Sequence, residues 1–90
     1  MAVNVKIPTQ LRAATGGAGT AEVEGATVGE ALEALYAQHS ELRERITEDG
    51  ELRRFVNVYV AGEDIRFGDG LQTALNDGDE VQILPAVAGG

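Results

Sequence analysis

Asp77-Gly78-Asp79-Glu80-Val81-Gln82-Ile83-Leu84-Pro85-Ala86-Val87-Ala88-Gly89-Gly90 is the stretch around which the rest of the chain is organised. Asp-Gly is a turn pair, since glycine supplies a positive φ and aspartate bonds its own backbone. Val81 and Ile83 alternate with polar neighbours, which predicts a last strand over Glu80 to Leu84 with those two residues facing a core. Pro85 has no N–H to give to a ladder and fixes its own φ, so the strand is expected to stop there and the chain to leave extended. Ala86, Val87, Ala88, Gly89 and Gly90 then form a flexible tail whose end is a free carboxylate. Lacking Cβ atoms, Gly89 and Gly90 can enter a slot too narrow for other residues. Residues 1–85 are therefore expected to be the folded domain and 86–90 its tail.

Working back from that strand, Val56, Val58 and Val60 alternate with Phe55, Asn57 and Tyr59, the strongest strand signal in the chain, expected at the centre of the sheet. A turn over Ala61 to Asp64 leads to a short strand, Ile65-Arg66-Phe67, and Leu71, Ala74 and Leu75 pin a helical turn. At the other end Val3, Val5 and Ile7 predict a strand closed by Pro8, and Thr20 to Glu24 a second that pairs with it as a hairpin. Gly16-Gly17-Ala18-Gly19 between them is a turn-rich loop; it lacks the Gly-Lys-Ser/Thr ending of a phosphate loop. Thr27-Val28-Gly29-Glu30 has the spacing of a capping box, in which the hydroxyl and the carboxylate each satisfy the other residue's amide. The helix it starts carries Val28, Ala31, Leu32 and Leu35 as one apolar stripe, with Glu30, Glu33 and Ala34 opposite. Ser40 is expected to cap a second short helix over Glu41 to Ile46, with Leu42 and Ile46 inward and Glu48-Asp49-Gly50 ending it. One main helix in so small a chain covers one face of a sheet and leaves the other open.

Ninety residues, 43% of them hydrophobic, suffice for one domain and one core. The absence of cysteine excludes disulfides, thiolate metal sites and catalytic thiols, and means that any sulfur carried here does not ride on a cysteine persulfide. A net charge of −8 disfavours nucleic acid and anionic membrane, which both demand a basic surface, and favours basic partner surfaces. No segment approaches the roughly 20 apolar residues of a membrane span, and Met1 to Lys6 shows no charged leader followed by an apolar run, so the expected location is the cytoplasm. Lys6 is the single lysine, which disfavours long lysine-linked polymers of the chain.

Few side chains point to catalysis. His39, the one histidine, sits near a helix end without a partner for acid–base work and reads as a surface residue. Asp77, Asp79 and Glu80 have oxygen-donor spacing but lack the remaining ligands of a calcium loop, so they read as a solvated turn. Arg53 and Arg54 form the one basic cluster. If the valines of the Val56–Val60 strand face the helix, Phe55 and Tyr59 point to the open face, with Leu84 beside them on the last strand; burial of the aromatics under loops is the alternative.

The acidic turn, the last strand, the proline and the Gly-Gly end resemble those of the ThiS/MoaD family of ubiquitin-like sulfur carrier proteins. Leu52 to Val60, Gly62 to Phe67 and Leu84 to Gly90 are similar to its CysO-like branch, which delivers sulfur for cysteine synthesis. The resemblance implies an α+β fold, the ubiquitin-like β-grasp: a mixed four- to five-stranded sheet, one main helix on one face, and the first and last strands parallel at the centre. It implies that Gly90 carries the chemistry. An E1-like adenylating and sulfurtransferase enzyme would use ATP and magnesium to activate the Gly90 carboxylate, and sulfur would displace AMP to leave a thiocarboxylate. That sulfur would attack an aminoacrylate made on pyridoxal phosphate (PLP) by a cysteine synthase, and a zinc metallopeptidase would release the cysteine. None of these cofactors would belong to this chain, which would be a protein cosubstrate rather than an enzyme, monomeric when free. Phe55, Tyr59, Leu84 and Pro85, flanked by Arg53 and Arg54, would dock the activating enzyme. Service as a molybdopterin synthase small subunit or thiamine sulfur carrier, and conjugation to lysines as a ubiquitin-like modifier, stand as alternatives.

Overall fold

The structure is a computed structural model and describes residues 2–49, 51–53 and 56–85. In chain order its elements are β1 (Ala2–Lys6), β2 (Thr20–Glu24), α1 (Val28–Gln38), α2 (Ser40–Ile46), β3 (Thr47–Glu48), β4 (Glu51–Leu52), β5 (Val56–Val60), β6 (Glu63–Asp64) and β7 (Glu80–Pro85). Five strands form one sheet in the order β2-β1-β7-β5-β6, while β3 and β4 pair apart from it. β1 and β7 run parallel, with Val5 beside Val81; the other pairs are antiparallel. This is the β-grasp arrangement.

The alternation read in the sequence appears as burial on one side of the sheet. Val3, Val5, Val23, Val56, Val58, Val81 and Ile83 turn inward and meet Val28, Ala31, Leu32, Leu35 and Tyr36 of α1 with Leu42 and Ile46 of α2. A parallel pair such as β1 and β7 cannot be closed by a tight turn, and here nearly the whole chain lies between the two strands. The acidic turn joins them from below: Ala2 N–H donates to Asp77 Oδ1 at 3.0 Å, Gly78 N–H to the Ala2 carbonyl at 2.7 Å and Asn4 N–H to the Asp79 carbonyl at 3.0 Å. Gly78 takes φ of 85°, which explains glycine between the aspartates.

Helix α1 starts as its capping box foretells on one side only. Glu30 N–H donates to Thr27 Oγ1 at 3.2 Å, but the Glu30 carboxylate accepts from the Ala26 N–H at 3.0 Å rather than from Thr27. Gly25 lies buried against this first turn; a Cβ built on it would stand 2.5 Å from the Ala31 nitrogen, so only glycine fits. Helix α2 exists, yet Ser40 is its first residue and His39 occupies the cap position without a side-chain bond.

Two other expectations are corrected, and two elements are added to those expected. β7, not β5, is the central strand; β5 pairs with it over five residues and with β6 over two. Ile65–Phe67 is a 3₁₀ turn, and the short strand is Glu63–Asp64 just before it. Thr9–Thr15, between the first two strands, is a 3₁₀ helix ended by Gly16 at φ of 69°. The β3–β4 ribbon went unread, because two-residue strands carry no periodicity. Among the described residues no helix is long and apolar enough to cross a membrane.

Candidate functional site

The open face of the sheet is set by the residues that alternate with the core. Tyr59 of β5 pairs with Gln82 of β7, which pairs in turn with Lys6 of β1; Asn57 pairs with Leu84. Lys6 reaches Glu80 at 3.7 Å, an exposed pair worth little in stability. Leu84 is 38% exposed and Tyr59 is half-buried, so the structure brings these two of the expected docking residues onto one face. Pro85 ends β7 opposite Val56. Phe55 and Arg54 lie outside the described residues, as do Ala86, Val87, Ala88, Gly89 and Gly90. The strand that leads to the tail is the central strand of the sheet, with β1 parallel on one side and β5 antiparallel on the other. Beside its end lies an open groove of about 630 Å³ lined by Lys6, Pro8, Arg12, Thr20, Gln82 and Leu84.

Arg53 points its guanidinium at helix α2, donating from Nε and Nη2 to the Glu44 carbonyl at 3.1 and 2.9 Å. It thus satisfies a carbonyl near the helix C-terminus, where a cation is favoured. Arg66, which the sequence did not single out, holds the start of β5 through Asn57 Oδ1 and the Arg53 and Val56 carbonyls at 2.9, 3.0 and 2.7 Å. Phe67 also escaped notice; it is 92% exposed.

The titratable groups with displaced pKa values lie on the covered side. Burial pushes the Tyr36 phenol up to about 12, the Glu33 carboxylate adds to the rise and Arg43 opposes it. Tyr36 Oη is buried and has no hydrogen-bond partner among the described residues, and Arg43 lies 4.9 Å above the ring centroid. Arg43 bonds both oxygens of Glu33, at 3.0 and 2.8 Å, which holds that carboxyl below the ordinary range. This cluster braces α1 against α2. His39 joins the same two helices through its backbone, its N–H donating to the Leu35 carbonyl and its carbonyl accepting from Leu42 N–H. Among the described residues, no group of three or more His, Cys, Asp or Glu is placed to hold a metal ion. Asp77 and Asp79 are occupied with the N–H groups of Ala2 and Asn76.

A sheet with one open face and a central strand delivering the C-terminal segment matches known proteins closely. The ThiS family model matches residues 5–90. The chain belongs to the ThiS family. The sulfur carrier protein CysO of Mycobacterium tuberculosis is 50% identical over 93 residues, an alignment that spans all of both chains. A chain in the crystal structure of the Amycolatopsis orientalis BexX/CysO complex is 48% identical, with a TM-score of 0.90 over 98% of this chain and 99% of that one. The small archaeal modifier protein 3 of Haloferax volcanii is 46% identical over 67 residues, 74% of this chain and 73% of the relative. This ThiS-family chain is accordingly a sulfur carrier protein like CysO, a small carrier rather than an enzyme, with relatives among the archaeal modifiers.

Proposed function

We propose that the Gly90 carboxylate is the sulfur-bearing group and that it passes between two enzymes as a thiocarboxylate. The observation that supports this reading best is the placement of β7: the central strand ends at Pro85, and the five residues that follow reach at most about 18 Å. A rigid body thus presents a short lead with small residues at its end, suited to a deep active site.

A carboxylate resists attack because its charge repels nucleophiles and oxide leaves poorly. Its oxygen first attacks the α-phosphorus of ATP, with magnesium, on an adenylating enzyme, and pyrophosphate departs. A sulfide-level sulfur then attacks the acyl carbon, and AMP leaves with the original oxygen. The product sulfur is anionic at neutral pH, soft and nucleophilic. Cysteine synthesis is the destination favoured by the CysO-like sequence: the sulfur attacks the carbon electrophile held by a PLP-dependent cysteine synthase, and a zinc metallopeptidase cleaves the cysteine from Gly90. ATP, magnesium, PLP and zinc all belong to those partners. Phe55, Tyr59, Leu84 and Pro85, with Arg53 and Arg54 at the flank, form the docking face for the adenylating enzyme, and the free carrier is a cytoplasmic monomer.

The extension of the chain by one residue after Gly90 tests the reading. Sulfur loading, followed by intact-mass spectrometry with the cognate adenylating enzyme, is expected to vanish; loading that survives would contradict it. A second use, conjugation to lysines of other proteins, is supported by the likeness to small archaeal modifier protein 3. An amine attacks the same adenylate, and isopeptide-linked products carrying Gly90 would reveal it.

A further inference from the structure

Phe67 is the most exposed large apolar side chain among the described residues, at 92%. The turn that displays it is pinned on both sides. Asp64 Oδ1 accepts from the Arg66 N–H at 2.8 Å, Gly68 N–H donates to the Ile65 carbonyl at 3.1 Å, and Ile65 itself is buried. The Arg66 guanidinium ties the same turn to the start of β5 through Asn57, Arg53 and Val56. The ring is therefore held out by built structure, and a partner that covers it has little backbone freedom to remove.

Phe67 and Tyr59 line one open concavity of about 490 Å³, together with Gly62, Glu63 and Asp64. Two aromatic rings inside a polar rim are the composition of a binding hot spot. The rim here is acidic, and the whole chain carries −8. That charge repels a second copy, a nucleic acid and an anionic membrane alike, and it attracts a basic protein surface. Tyr59 continues through Gln82 to β7, so a body seated on Phe67 also reaches toward the strand from which the tail departs.

We propose that Phe67, completed by Tyr59 and rimmed by Glu63 and Asp64, anchors an enzyme that receives the tail, by filling an apolar pocket edged with arginine or lysine side chains on that enzyme. The choice of a tail-receiving enzyme rests on the sulfur-carrier reading; the anchor itself rests on the exposure, the pinning and the charge.

Phe67→Ser and Phe67→Trp in the full chain supply the test. Calorimetric titration against the cognate adenylating enzyme and against the cognate PLP-dependent synthase is expected to show Phe67→Ser weakening at least one complex about tenfold or more, with the melting temperature unchanged. The chain has no tryptophan, so Phe67→Trp adds a unique reporter whose emission is expected to shift to the blue when that enzyme is added. Affinities for both enzymes within about twofold of the parent, with unshifted emission, would overturn the proposal. So would a dimer of the chain that Phe67→Ser dissolves, since the ring would then belong to a second copy. Sulfur loading of the parent chain, read by mass, separates the two claims: loss of binding in Phe67→Ser upholds the anchor even if Gly90 stays unloaded, and loading with Phe67-independent binding leaves the carrier standing and removes the anchor.

Discussion

The two faces of the sheet are made by the same strands and have opposite chemistry. On the covered face Val3, Val5, Val58, Val81 and Ile83 are at most 1% exposed and are packed under two helices. On the other, Lys6, Gln82, Tyr59 and Leu84 alternate with them, and Phe67 stands clear at the edge. One residue of register separates the sets, so a slip of one position would exchange core for surface. The core is thus confined to the covered face, and side chains on the open face are expected to be replaceable without unfolding the carrier.

The sharpest way to break that division is at Leu35, which is fully buried beneath the sheet. Leu35→Ala is expected to cost about 2–5 kcal/mol in chemical denaturation, through lost transfer energy and the cavity left behind. Gly25→Ala comes next. Its new Cβ would meet the backbone of Ala31 at 2.5 Å, and the first turn of α1 must move, at about 1–3 kcal/mol by the same measurement. A loss well under that range would mean the loop before α1 yields freely.

The division was largely legible in the sequence, for a physical reason. Period-two alternation in Val3 to Ile7, Val56 to Val60 and Val81 to Ile83 records which side faces the core, and the Thr27–Glu30 spacing records where a helix must begin. The parts that escaped notice depend on contacts distant in sequence or on elements too short to have a period. Ile65 and Phe67 would share a face in a strand; the 3₁₀ turn, tied down by Arg66 to Asn57, buries one and exposes the other. Tyr36 extends the helical stripe by one position and is buried because α2 folds back and lays Arg43 over its ring. β5 lost the central place to β7 because centrality is decided by which strands pair, which no single strand's pattern reports.

A smaller effect sharpens the covered side. The folded chain holds the Tyr36 phenol at about 12 against 10.0 when free, so the unfolded chain ionises first as the pH rises. Stability is expected to be level below about pH 10 with respect to this group, to decline toward pH 12, and to lose that decline in Tyr36→Phe, as thermal melts across the alkaline range would show. At the other end, Glu33 is held low by Arg43; its contribution is present above the ordinary carboxylate value of 4.5 and fades as the pH falls through the lowered one. The smallest change is expected on the open face. Leu84→Ser should leave unfolding free energy within about 0.5 kcal/mol of the parent while weakening the complex with the adenylating enzyme. A large loss of stability there would show that the open face is part of the core after all.

On the proposed reading, the body serves as a handle for its last residue. Incubation of the intact chain with the cognate adenylating enzyme, ATP, magnesium and a sulfur donor, followed by intact-mass and C-terminal fragment spectrometry, addresses it most directly. One sulfur in place of one oxygen is expected, confined to Gly90; a chain whose terminal carboxylate keeps both oxygens under those conditions would rule out the carrier role of Gly90.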